Sequence, residues 1–160
     1  MRILIDKHME QITPREQEKF DNYIRKTESY DCICQIVDTV VITNKITLVV
    51  FKYNYIDDCV AWAYYPRSGC QEYVDRQHSN ERNDDFVERC INKLLNQHNW
   101  FDNDVAHLVE QRKYYTVATP TTIFKSKDFA EIKKYYQKFG GKVVDWLGHS
   151  IVEQFLLQEA

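Results

Sequence analysis

Residues 32–65, CICQIVDTVVITNKITLVVFKYNYIDDCVAWAYY, decide the fold. Three runs rich in β-branched and aromatic residues, Cys32 to Ile42, Ile46 to Ile56 and Cys59 to Tyr65, are separated by short polar breaks at Thr43-Asn44-Lys45 and Asp57-Asp58. Breaks of hairpin size between strand-forming runs predict an antiparallel meander. Ile46, Leu48 and Val50 alternate with Thr47, Val49 and Phe51, and Val60, Trp62 and Tyr64 alternate with Ala61, Ala63 and Tyr65. Both faces of the sheet are therefore partly apolar, as expected if helices cover one side and further chain covers the other.

Helices flank this meander. Thr13-Pro14-Arg15-Glu16 combines a capping hydroxyl, a proline at the first helical position and a glutamate at the third, so a helix is predicted over 14–28. Between Asp84 and Gln97, Phe86, Val87, Cys90, Ile91, Leu94 and Leu95 recur as adjacent pairs every four positions, one apolar stripe on a second helix over 84–97. Ser126 is expected to cap a third helix, 126–139, with Phe129, Ile132, Tyr136 and Phe139 on its buried side and Gly140-Gly141 closing it. Ser150 and Glu153 repeat the capping-box spacing before a short helix over 151–158. Met1 to Ile5 reads as a short strand. Further strands are expected at Val105 to Glu110, Tyr114 to Thr119 and about 142–147, whereas 66–83 has no periodicity and reads as a long loop. The sum is an α+β protein, a single domain over 1–160 built on a mainly antiparallel sheet, with a meander at about 32–65 and strands near 105–119 and 142–147.

Charge is laid out in blocks. Residues 1–56 balance at zero, 57–110 sum to minus six, 111–142 to plus six and 143–160 to minus three, which together give the net charge of −3. A separated field steers and orients a partner. Five cysteines, an odd number without dense spacing, fit reduced thiols in a cytoplasm. No segment has the length to span a bilayer, so no membrane partner is expected. Gly, Ala and Pro together number only thirteen against eleven Tyr and eight Phe, the usage of an AT-rich genome. In texture the chain resembles small accessory proteins of AT-rich bacteriophages, without any motif or defined segment carrying that resemblance.

No catalytic or cofactor signature stands out, and no cofactor is expected. Cys32 and Cys34, with Cys59 and Cys70, have the wrong spacing for a zinc knuckle, and apolar packing is the expected role of these thiols. The histidines, His8, His78, His98, His107 and His149, match no metalloprotease pattern. His98 reads as a cation complementing a helix C-terminus. Gly140-Gly141-Lys142 follows a helix and precedes a strand, the reverse of a phosphate loop.

Three functions remain. The leading expectation is a non-enzymatic protein-binding module, an inhibitor or modulator of a larger cytoplasmic machine, with Arg67, Tyr73, Arg76, His78, Asp84 and Asp85 as its contact residues. The second is a nucleic-acid-binding protein using Lys125, Lys127, Lys133, Lys134, Lys138 and Tyr135. The third is a small hydrolase with a fold-assembled pair such as Cys70 or Ser79 with His78.

Overall fold

In the computed structural model residues 2–6, 9–54 and 56–151 are described, without the side chains of Ile33 and Cys34. The chain divides into two compact units, 1–108 and 109–160.

The first unit is built on a five-stranded sheet in the order β1-β2-β3-β4-β5, from β1 (Arg2–Ile3), β2 (Ile33–Thr43), β3 (Ile46–Tyr53), β4 (Cys59–Tyr65) and β5 (Cys70–Arg76). The meander is antiparallel throughout and only β1 runs parallel to its neighbour. Each hydrophobic alternation now has a destination. Val49, Phe51 and Tyr64 pack against Phe20, with Tyr23 and Ile24 beside it, on α1 (Pro14–Glu28). The opposite face, with Leu48, Val50, Ala61 and Ala63 fully buried, meets α2 (Asn83–His98). A helix on each face replaces the expected arrangement of helices on one side only. Both helices follow their sequence signals. Thr13 and Glu16 form the reciprocal capping box, and the whole predicted stripe of α2 is buried.

Two expected features of this unit are corrected. The stretch 66–83 is not a loop, because Cys70–Arg76 pairs with β4 across the tight turn at Pro66 to Gly69. Gly69 makes that turn with φ of 74°, its amide donating to the Tyr65 carbonyl at 2.8 Å. Of β5 only Val74 is buried, so the strand carries almost no hydrophobic period, and a bulge opposite Ala61 and Trp62 shifts its alternation. The strand expected at Val105 to Glu110 is instead α3 (Asn103–Arg112). Val105, Leu108 and Val109 are buried while Ala106 and His107 are not, which is helical spacing. Asp102 sets the start by accepting from the Asp104 amide at 2.9 Å.

The second unit holds a separate sheet in the order β7-β6-β8, from β6 (Tyr115–Ala118), β7 (Ile123–Ser126) and β8 (Lys142–Val144), with α4 (Phe129–Phe139) against one face. Val117, Ile132, Val143 and Ile151 form its core. β7 lies where the sequence predicts only the start of a helix, and Ser126 belongs to it; the helix cap is Asp128, which accepts from the Ala130 amide at 2.9 Å. Phe139, expected on the buried side of α4, is 57% exposed. The third strand ends at Val144 rather than near 147. Gly141, at φ of 107°, lies so close to β6 that a Cβ there would sit 2.7 Å from the Ala118 carbonyl oxygen. The helix expected over 151–158 falls outside the described residues from 152 onward.

Candidate protein-docking surface

The six expected partner-binding residues do not form one patch. Arg67 sits on the β4–β5 turn, 3.2 Å from Glu10 and 3.9 Å from Glu16. Tyr73 is exposed on β5, edge-on to Trp62 on the α1 side of the sheet. Arg76 pairs with Asp58 at 3.3 Å. His78 is exposed beyond the end of β5, and Asp84 and Asp85 are exposed in the first turn of α2. The chain between β5 and α2 is anchored, not open. Arg89 on α2 reaches Asp75 at 2.6 Å and Glu81 at 2.8 and 2.9 Å, and it also donates to the Arg76 carbonyl at 3.3 Å and lies over the Phe86 ring. Lys93, one turn on, reaches Asp75 at 3.3 Å and the Val74 carbonyl at 3.0 Å. Burial alone would raise the carboxyl pKa values of Asp75 and Glu81, but hydrogen bonds from Arg89 and from the Arg76 and His78 amides outweigh it and hold both below the ordinary range. Gln77, buried, completes the anchor, accepting from the Cys59 amide at 2.9 Å and donating to Asn83 and to the Glu81 carbonyl at 2.8 Å.

A different surface stands out at the other end of α2. Trp100 is 82% exposed and Phe101 57% exposed in the turn between α2 and α3. Their rings meet edge to face at 4.9 Å, Phe101 meets His98 at 5.2 Å, and His98 meets Tyr65 at 6.2 Å. The base of this aromatic row is fixed. Lys45, on the β2–β3 turn, pairs with Asp102 at 3.2 Å, and the Tyr65 hydroxyl donates to Glu72 at 2.8 Å. Burial pushes the Tyr65 hydroxyl up to about 12 and lowers the His98 pKa against the pull of Glu72 and Asp102, which works against the expected role of His98 as a helix-end cation. The signal for this surface in the sequence is local: Trp100 and Phe101 are two large aromatics set between Asn99 and Asp102.

The basic residues of the second unit are spread over several sides. Lys134 and Lys138 are exposed on α4, Lys127 donates to the Glu110 carbonyl at 3.1 Å, and Lys125 lies over the Tyr114 ring. Lys133 is half-buried. Tyr135 is stacked on Phe124 at 4.5 Å and its hydroxyl meets Thr122 at 2.8 Å, so its ring is engaged within the unit.

Cys70 opens β5 and His78 lies beyond its far end, with roughly 20 Å of extended strand between them. Cys59 and Cys90 are buried and Cys32 and Cys70 exposed. Burial pushes the Cys90 thiol up to about 12. Among the described residues no group of three His, Cys, Asp or Glu side chains converges as a metal site. A shallow groove of about 520 Å³ between α1 and β2 is lined by Gln17, Phe20, Asp21, Ile24, Arg25, Glu28, Ile36 and Thr39, a set without a serine, cysteine or histidine. Among the described residues no helix is long and apolar enough to cross a membrane. No known family model, curated protein or solved structure matches the chain.

Proposed function

We propose that the chain is a non-enzymatic protein-binding module, an inhibitor or modulator of a larger cytoplasmic machine, and that Trp100 and Phe101 are its anchor. The carrying observation is the 82% exposure of Trp100 beside a second exposed ring, on a turn whose base is held by the Lys45–Asp102 pair. Interface hot spots are enriched in Trp, and a rigidly based aromatic loses little conformational entropy on docking. Covering roughly 150 Å² of Trp100 in a partner's pocket would contribute up to about 4 kcal/mol before the costs of association. Arg67, Arg76 and the carboxylates of Asp84 and Asp85 lie elsewhere on the unit and serve orientation rather than anchoring. A bacteriophage protein directed at a host protease, nuclease, polymerase or defence complex is the origin that the composition favours.

The reading is tested by affinity capture from bacterial lysate with the wild type and with Trp100→Ser/Phe101→Ser. A protein retained through moderate salt by the wild type and lost from the double variant, at unchanged melting temperature, is the expected result. Equal capture of every protein by both forms would remove the aromatic turn as the anchor.

A further inference from the structure

A second surface, independent of the aromatic turn, lies on the small sheet of the second unit. Val117, Phe124 and Val143 face α4, and Val117 is the register partner of both Phe124 and Val143. The alternate positions therefore share the other face: Thr116 and Ala118 on β6, Ile123 and Lys125 on β7, Lys142 and Val144 on β8. No carboxylate stands among them. Lys125 is level with Thr116 and Lys142 with Ala118, so the two lysines stand on either side of β6, on strands about 10 Å apart and two residues out of step. Both lysines and Ile123 are exposed, and among the described residues neither lysine forms an ion pair. Tyr114, just before β6, lies under the Lys125 ammonium at 5.1 Å from its ring centroid.

We infer that this open face binds single-stranded nucleic acid. The two lysines supply phosphate contacts on either side of β6. Ile123 offers apolar surface for a base, the half-buried Tyr114 ring does so once the Lys125 ammonium above it turns to a phosphate, and the Thr116 hydroxyl adds a hydrogen-bonding group without sequence preference. A single strand suits the geometry better than a duplex, since a flat three-stranded face sends no helix or ribbon into a groove. It also suits the face better than an acidic peptide, which would use the lysines and leave the ring and Ile123 without a partner.

The experiment is fluorescence anisotropy with labelled oligo(dT) and oligo(rU) at about 25 mM salt, where phosphate contacts are strongest. Lys125→Gln/Lys142→Gln should weaken binding by about tenfold and flatten the slope of log affinity against log salt by about 1.4, the share of two phosphates on a single strand. Lys134→Gln/Lys138→Gln, on the helix, should change affinity by less than about twofold, and Lys125→Arg/Lys142→Arg should retain binding and so exclude misfolding as the cause. Trp100→Ser should leave oligonucleotide binding unchanged, which separates this surface from the protein anchor. Absence of binding by the wild type, an equal loss in the helix variant, duplex bound as tightly as single strand, or competition by poly-glutamate as effective as that by oligonucleotide would each overturn the inference; the last would assign the face to an acidic protein.

Discussion

Replacing Arg89 by Met keeps an unbranched apolar side chain and removes the guanidinium that lies over Phe86 and joins β5, the following segment and α2. Arg89 and Glu81 are only 13% and 14% exposed at their side chains, and they meet through two hydrogen bonds. Removing one partner of a well-buried pair costs about 3–5 kcal/mol, because the other charge stays desolvated. Asp75 is more open and keeps Lys93 at 3.3 Å, so the loss falls mainly on Glu81, and about 2–4 kcal/mol is expected at neutral pH. The pH dependence carries the sharper test. Both carboxyls have folded pKa values below their ordinary values of 3.8 and 4.5, so their stabilisation is complete above that range and is lost as pH falls through the depressed values. Without Arg89 its share of this contribution is gone at neutral pH already, while the Arg76 and His78 amides and Lys93 keep theirs. The gap between wild type and Arg89→Met should therefore be fully open at neutral pH and narrow progressively below the ordinary carboxyl range. Urea unfolding followed by circular dichroism at the two extremes measures it. A gap smaller than about 1 kcal/mol at neutral pH, or one of equal size in acid, would refute the reading of Arg89 as the electrostatic clasp of this unit.

Other expectations follow from burial. Leu94, 1% exposed on the α2 stripe, should cost about 2–5 kcal/mol on replacement by Ala, read as a lowered denaturation midpoint. Lys134→Glu, at an exposed position of α4, should shift stability by no more than about 0.5 kcal/mol in the same assay. In a Cys34→Ser background, a colorimetric thiol reagent should modify Cys32 and Cys70 in the folded protein and reach Cys59 and Cys90 only on unfolding; rapid native labelling of Cys90 would contradict its burial.

The elements that the sequence made legible are those whose signal is local or strongly periodic. Thr13, Pro14 and Glu16 define the start of α1 from adjacent residues, and the paired apolar positions of α2 mark its buried face without reference to the rest of the chain. The hairpin breaks at Asn44-Lys45 and near Asp57-Asp58 divided the meander at the right places. β5 was hidden because an edge strand with one buried residue needs its neighbour to define it, and its bulge breaks the period that remains. α3 reads as a strand in the sequence because Val105, Leu108 and Val109 supply β-branched and apolar residues in a run too short for periodicity to arbitrate. At the candidate site the obstacle was a different one. Composition counts Trp100 and Phe101 as core-forming residues, and only the turn between two packed helices turns them outward. Tyr135 shows the opposite error, an aromatic among lysines that is taken up by Phe124 and Thr122.

The cations that α2 extends over β5 do more than hold the next segment in place. By occupying the Val74 and Arg76 carbonyls, Lys93 and Arg89 leave the last part of the sheet's edge without open acceptors for a further strand. Protection of this edge and stability are thereby tied to the same two side chains. Loss of either would open an acceptor on β5 as well as lower the melting point, so α2 shields the end of this edge strand as well as forming a wall of the core.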